Sequence, residues 1–211
     1  SEPENSIQYS NEAIALADKI GYWNGKAVGL KNIGIVHYYQ AKRLDALNFY
    51  TQSLKVYEST QNYSGMANLL SNMGVVYMES GDRKNALDHY LQSLKYAEQA
   101  GDKFRKLIIL NNIGGVYESE IATQDKALDY YQQAYNLAAE LNKTEEAGAI
   151  SINLGNIFFK KKNDSLAQLY FTKALEWYKN SENIFFAYNG LGKIDSKKMR
   201  YDAALANHQK A

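Results

Sequence analysis

Residues 110–119 read Leu-Asn-Asn-Ile-Gly-Gly-Val-Tyr-Glu-Ser, and two adjacent glycines beside two asparagines admit two opposite readings. One is a loop whose backbone cradles a phosphate. The other is a buried helix, favoured by the apolar Leu107-Ile108-Ile109-Leu110 before the glycines and Val116-Tyr117 after them. The full glycine spacing of a nucleotide loop is missing, and no strand precedes. Recurrence decides between them. Asn32-Ile33-Gly34, Asn72-Met73-Gly74 and Asn153-Leu154-Gly155 repeat the triplet Asn112-Ile113-Gly114, and Gly190-Leu191-Gly192 is a fifth copy without its asparagine. The last glycines of these triplets stand 40, 40, 41 and 37 residues apart, so the stretch is one turn of a repeat and not a solitary site.

A second landmark travels with the first. Twelve residues after the glycine comes an alanine, Ala46, Ala86, Ala167 and Ala204, with Ala127 one residue late in the third copy. Four residues further on stands a ring, Tyr50, Tyr90, Tyr131 and Phe171, replaced by His208 in the last copy. Between landmarks the apolar residues follow the helical period: Leu69, Leu70, Met73, Val76 and Tyr77 form one stripe, and Ala86, Leu87, Tyr90, Leu91, Leu94 and Ala97 another. Gly81-Asp82 follows a first helix, and Gly101-Asp102 and Gly21 follow second helices, as left-handed glycines at helix ends do. Each repeat therefore reads as a helical hairpin.

Composition agrees and excludes several functions. A chain with 45% hydrophobic and 22% charged residues buries a core and is not disordered. The only proline is Pro3, which leaves nothing downstream to interrupt helices. Without cysteine there is no disulfide, thiolate nucleophile or Cys-ligated metal. A net charge of +1 supplies no long-range attraction to nucleic acid or anionic lipid. No apolar run reaches the roughly 18 residues of a membrane span. The chain starts at Ser1 without Met and stops at Ala211 inside a helical stretch, so it is expected to be a fragment of a longer protein. A cytoplasmic setting is expected over a periplasmic one, and no cofactor is expected.

The pattern Leu-Asn-Ile-Gly-x-x-Tyr, a short turn, then Ala-Leu-x-x-Tyr and a small residue three further on resembles the tetratricopeptide repeat. The resemblance covers nearly the whole chain: a lone second helix at 4–20, full repeats at 24–61, 63–101, 103–141 and 144–180, and a truncated repeat at 183–211, forming a single array over 1–211. A period near 40 exceeds the usual 34. It is similar to the longer repeats of kinesin light chains, of Rap-type and MalT-like regulators, and of arrays preceding bacterial histidine kinases and cyclases. The resemblance implies an all-α, right-handed superhelical solenoid of antiparallel hairpins.

Glycine inside a helix costs about 1 kcal/mol relative to alanine, so its recurrence at 34, 74, 114, 155 and 192 needs a packing reason. The expectation is a close approach of the second helix, with the alanine twelve residues on filling the facing contact. Tyr50, Tyr90, Tyr131, Tyr77 and Tyr117 read as core. Tyr38 follows His37, which takes the slot of Tyr77 and Tyr117, and so should face away from the hairpin core.

Asparagine is about 0.6 kcal/mol worse than alanine in a helix, so Asn32, Asn72, Asn112 and Asn153 are not there for propensity. They lie about 200° around the helix from the packing glycine, off the hairpin contact. The resemblance implies that this face lines a concave groove where an asparagine ladder holds the backbone of a bound peptide. An amide suits that task because it both donates and accepts. The alternative is that each asparagine bonds the neighbouring repeat and fixes the array; both roles are open.

Carried over residue by residue, the groove takes Lys31, Asn32 and Tyr38 with Val28 and Ile35, then Asn68, Ser71, Asn72, Val75 and Met78. The third repeat gives Ile108, Asn111, Asn112, Gly115 and Glu118, and the fourth Ala149, Ile152, Asn153, Asn156 and Phe159. In this register Gly115 opens a notch where Ile35, Val75 and Asn156 stand. The surface is amide-rich and almost uncharged. Only Lys31-Asn32 and Asn153 with Asn156 hint at the Lys/Arg/Asn clamp that chaperone-tail binders of the family use, so an acidic C-terminal tail is a poor ligand.

His37, His89 and His208 are far apart in register, and no metal site is expected. Lys160-Lys161-Lys162 and Lys193, Lys197, Lys198 and Arg200 read as solvated helix ends. No catalytic constellation recurs. The expected function is non-catalytic recognition of a protein or extended peptide, as the sensory or regulatory segment of a larger bacterial signalling protein, with no nucleic acid and no direct membrane insertion. Alternatives are a self-association spacer that pairs through exposed terminal repeats, and the non-catalytic part of a Rap-like phosphatase regulator.

Overall fold

The computed structural model of the chain describes residues 2–210; the side chains of Glu2, Tyr201, Asp202 and His208, the residue expected to replace the fifth ring, lie outside the described residues. Among the described residues the chain is all α, without a strand. The helices are α1 (Glu2–Ile20), α2 (Trp23–Tyr39), α3 (Arg43–Ser59), α4 (Tyr63–Glu79), α5 (Arg83–Gln99) and α6 (Lys103–Glu118). After a 3-10 turn (Ile121–Thr123) follow α7 (Gln124–Glu140), α8 (Thr144–Lys160), α9 (Asp164–Trp177), α10 (Ile184–Lys197) and α11 (Tyr201–Lys210). The chain divides into two compact units, Ser1–Ile109 and Leu110–Ala211. None of these helices is long and apolar enough to cross a membrane.

Most junctions share one construction. The second residue past the helix end, or the first after α1, takes a left-handed conformation, and two backbone bonds close the turn: Ala41 N–H to Tyr38 C=O at 2.9 Å, and Lys42 N–H to His37 C=O at 2.9 Å. The same pair recurs where α1, α3, α4, α5, α7, α8 and α10 end, satisfying carbonyls that a helix terminus leaves orphaned. Gly21, Gly81 and Gly101 hold the left-handed position as expected, with φ of 71°, 79° and 66°. Five other turns place Ala41, Gln61, Asn142, Lys162 and Met199 there, with φ between 51° and 59°. The following residue often caps the next helix: Asn62 Oδ1 accepts from Gly65 N–H at 2.8 Å, and Asp102 Oδ1 from Arg105 N–H at 2.9 Å.

Inside the hairpins α2–α3, α4–α5, α6–α7 and α8–α9 the repeated glycine meets a ring. An added Cβ would stand 2.6 Å from Tyr50 at Gly34, 2.5 Å from Tyr90 at Gly74, 2.6 Å from Tyr131 at Gly114 and 2.6 Å from Phe171 at Gly155. These rings are buried, and so are the alanines four residues before them. The partner of the glycine is thus the ring sixteen or seventeen residues on, and not the alanine twelve on; at Gly34 the alanine offers only its carbonyl, 3.3 Å away. A phenyl or phenol ring needs a flat surface free of Cβ, and an alanine would not. Fully burying a side chain of Phe size stabilises by about 1.5–3 kcal/mol, which outweighs the propensity lost at the glycine.

A second ring contact repeats beside the first. His37 stacks on Phe49 with centroids 5.2 Å apart, Tyr77 lies against His89 at 4.8 Å, Tyr117 on Tyr130 at 5.7 Å and Phe158 on Tyr170 at 5.5 Å. His37 and His89 therefore serve packing, and among the described residues no three His, Cys, Asp or Glu side chains gather where a metal could sit. Serines also tie second helices to first ones: Ser53 Oγ donates to the Ala27 carbonyl at 2.6 Å and Ser93 Oγ to that of Ala67 at 2.6 Å, both buried.

Candidate functional site

The face of interest is the one that first helices turn away from their own second helices. In the first unit it is built by α2, α4 and the start of α6. Asn32 and Asn72 are half-buried there, as are Lys31, Asn68 and Tyr38. Ser71, expected beside them, is 7% exposed and so is buried, not open on this face.

Arg105, nine residues before the packing glycine of its repeat, completes this face. With its amide turned to satisfy both partners, the Asn68 oxygen accepts from the Arg105 guanidinium at 2.6 and 3.1 Å. The Asn68 and Asn72 amides are themselves 3.4 Å apart. Asp102 lies 3.4 Å from Arg105 Nε, an ion pair without hydrogen-bond alignment. Burial, and then the charge of Arg105, push the Lys31 ammonium below its ordinary value. The face is therefore not almost uncharged: two cations from different helices converge on it. Gly25 and Gly65 occupy the column of Arg105 in the first two repeats, and an arginine among glycines was the signal in the sequence.

Further along, Ile35, Tyr38, Tyr39, Asn72 and Val75 line a cleft of about 160 Å³ floored by Tyr50. Tyr38 packs partly against the core formed around Tyr50 and Met73 and so is only half turned away from it. Its hydroxyl donates to the Glu79 carboxylate, and that bond, followed by burial, lifts it to about 12. Tyr39, beside it, is 81% exposed.

In the second unit the face is built by the end of α6, α8 and α10. Asn153 Nδ2 donates to Asn111 Oδ1 at 3.1 Å, so this rung bonds the neighbouring first helix. Asn112 and Asn156 are half-buried. Phe159 packs on the core around Phe171 and Ile194, with the Lys197 ammonium 5.4 Å from its ring. Glu118 is engaged from two sides, accepting from the Tyr131 hydroxyl at 2.9 Å and from Lys160 at 2.7 Å. Ala149, Ile152, Asn153, Tyr178 and Phe186 border a further cleft of about 200 Å³. The lysines read as solvated ends are partly ion-paired, Lys161 with Asp125 at 2.8 Å and Lys197 with Asp164 at 2.6 Å.

What such faces can do follows from their groups. Side-chain amides match both N–H and C=O of an extended backbone, and paired cations match a carboxylate. Comparison with known proteins agrees on the fold. Residues 65–140 match the family model of the tetratricopeptide repeat. No curated protein sequence matches the chain. Among solved structures, BtubC (BKLC) from P. vanneervenii superposes with a TM-score of 0.86 at 15% identity, over 100% of this chain and 89% of that one. The quorum sensor NprR from B. thuringiensis, in its apo form, gives 0.72 at 16% identity, over 98% of this chain but 59% of NprR. A Rap protein complexed with Competence and Sporulation Factor gives 0.72 at 17%, over 97% of this chain and 62% of its own length. At such identities the likeness is one of fold, and the tetratricopeptide match itself covers residues 65–140.

Proposed function

We propose that this tetratricopeptide array is a non-catalytic scaffold that holds an extended peptide segment along its first-helix faces. The observation that carries the reading is the amide column: Asn32, Asn72, Asn112 and Asn153 share one helix position, and all are half-buried. One of them, Asn153, also ties neighbouring helices together. In the first unit Lys31 and Arg105 add a preference for a segment bearing a carboxylate, since two partly desolvated cations facing one surface gain from a shared anion. The same fold in a quorum sensor and in a Rap protein bound to Competence and Sporulation Factor supports a regulatory role within a larger bacterial signalling protein.

The probe is a displayed library of twelve-residue peptides, selected on the whole chain. Selected peptides should bind the Asn32→Ala/Asn72→Ala variant at least about ten-fold more weakly while its melting temperature stays within about 2 °C. Peptides that bind parent and variant alike would remove the ladder from the binding function. A melting temperature lowered by many degrees would make those asparagines part of the packing.

A further inference from the structure

The amide column recurs from one first helix to the next, so by itself it holds an extended backbone without fixing which peptide residue lies where. Fixing the register takes features that occur once. The first unit carries two. One is the cleft of about 160 Å³ lined by Ile35, Tyr38, Tyr39, Tyr50, Asn72 and Val75. In the other three full repeats the position of Tyr38 holds Met78, Glu118 and Phe159, and that of Tyr39 holds Glu79, Ser119 and Lys160, so the pair of rings is not repeated. Tyr38 and Tyr39 stand edge to face with centroids 5.4 Å apart, and the Glu79 carboxylate holds the Tyr38 hydroxyl, which makes that ring a fixed wall. None of the lining residues is charged, and Tyr39 presents its ring to water. An apolar cavity of about 150 Å³ takes a benzene, so this cleft has room for one side chain of Leu, Met or Phe size.

The other is the cation pair. The position of Lys31 holds Ser71, Asn111 and Ile152 in the other repeats, and that of Arg105 holds Gly25, Gly65 and Glu146. Arg105 is partly answered, with Asp102 at 3.4 Å from its Nε and the Asn68 oxygen accepting from its Nη atoms. Lys31 is not. Among the described residues no carboxylate or carbonyl pairs with its ammonium, although it is half-buried and feels the charge of Arg105. A desolvated ammonium beside a second cation costs free energy, and a shared anion offsets that cost.

The two features share a border. Asn72 belongs to the cleft wall, and its amide lies 3.4 Å from that of Asn68, which holds Arg105. On α2 the cleft residues Ile35, Tyr38 and Tyr39 follow Lys31 by four, seven and eight positions, on one side of the helix. At 1.5 Å per residue the cleft therefore lies roughly 6–12 Å along the axis from Lys31. An extended chain returns a side chain to the same side about every 7 Å, at every second residue. Building on the reading that the array holds an extended peptide, we propose that the first unit recognises a carboxylate side chain two residues from a Leu, Met or Phe. The carboxylate lies between Lys31 and Arg105, and the apolar side chain fills the cleft beside Tyr38 and Tyr39. The amides hold the backbone, and this pair of contacts sets its register.

The test sequences the displayed twelve-residue peptides selected on the whole chain and repeats the selection on three variants. On the parent, Asp or Glu two residues from Leu, Met or Phe should be enriched about five-fold or more over the unselected library. Lys31→Gln should lose the acidic preference and keep the apolar one, while its melting temperature holds or rises because a like-charge contact is relieved. Val75→Trp, which fills the cleft, should lose the apolar preference and keep the acidic one. Tyr39→Ala removes an exposed wall of the same cleft without touching the core, and should do likewise. Replacing either of the two peptide residues by alanine should weaken binding to the parent about ten-fold, read by fluorescence anisotropy. Peptides that lose binding to Asn32→Ala/Asn72→Ala yet show no paired preference, or keep it on all three variants, overturn this inference and leave the amide column as the binding feature. Selection that yields no peptide, or peptides indifferent to the asparagine variant, overturns the peptide reading itself and this inference with it.

Discussion

Gly114 and Gly115 are neighbours on α6, and replacing each by alanine should move stability in opposite directions. Both gain about 1 kcal/mol of helix propensity. At Gly115 the new methyl meets only the Tyr131 hydroxyl oxygen, at 3.7 Å, so most of that gain survives. At Gly114 the methyl would stand 2.6 Å from two carbons of the Tyr131 ring and 3.0 Å from a third. Carbon atoms in contact prefer roughly 3.5–4.0 Å, so the ring must retreat by about 1 Å. It has nowhere to go: Tyr131 is 2% exposed and its hydroxyl is held by Glu118. Overpacking of this kind costs about 1–3 kcal/mol or more. Gly114→Ala should therefore lose about 1–2 kcal/mol net and Gly115→Ala gain about 0.5–1, a separation of about 1.5–3 kcal/mol. Urea unfolding followed by far-ultraviolet circular dichroism measures both, with the slope checked because repeat arrays can depart from two-state behaviour. If the two variants shift the midpoint in the same direction, the ring contact is not what the glycine column serves.

The left-handed turns give a second expectation. Ala41→Gly and Gln61→Gly should each stabilise by about 0.5–1 kcal/mol, because φ of 58° and 51° strains a residue with a Cβ. Gly81→Ala, with nothing within 4 Å of the new methyl, should lose about 1 kcal/mol through backbone strain alone. Urea midpoints that leave all three variants equal to the parent would contradict this. The third concerns alkali. Burial pushes the Tyr50 hydroxyl up to about 12, and burial with the charges of Glu145 and Glu146 pushes Tyr178 up to about 12, against an ordinary value of 10.0. The unfolded chain ionises first, so this stabilisation is complete below about pH 10 and is lost as pH rises from there towards 12. Phenolate absorbance should show a late-titrating class of tyrosines that disappears in denaturant. A single class titrating near 10 in the folded chain would refute it.

The hairpins were legible because their constraint is steric and leaves a fixed residue type in a fixed column. A ring against a backbone admits only glycine, and glycine inside an apolar helix stands out. Which group faces it was not legible, because alanine and ring recur with equal regularity and only the three-dimensional contact separates Ala46 from Tyr50. The turns were half legible. Gly21, Gly81 and Gly101 announce a left-handed residue, whereas Ala41, Gln61 and Lys162 adopt it under the pull of two backbone bonds that no side chain encodes. On the proposed binding face the asparagines were found by repetition. Arg105 was missed for the converse reason: it breaks its column instead of repeating it, and a search for ladders passes over the odd rung.

The junctions also determine where the chain can change length. Each left-handed turn joins two helices through the same bonds, so one added or deleted residue there would rotate everything downstream by about 100° and carry the glycine column off its ring. The third repeat holds its ring one residue later than the others, and its internal junction lacks the left-handed turn, as does the one between α9 and α10; it carries a 3-10 turn at Ile121–Thr123, with Ile121 87% exposed. The extra residue sits in that slack segment, and α7 still delivers Tyr131 onto Gly114. The stretch from Ser119 to Thr123 is thus the seam of the array, where an inserted tag, a cleavage site or a graft would be absorbed without putting the neighbouring helices out of phase.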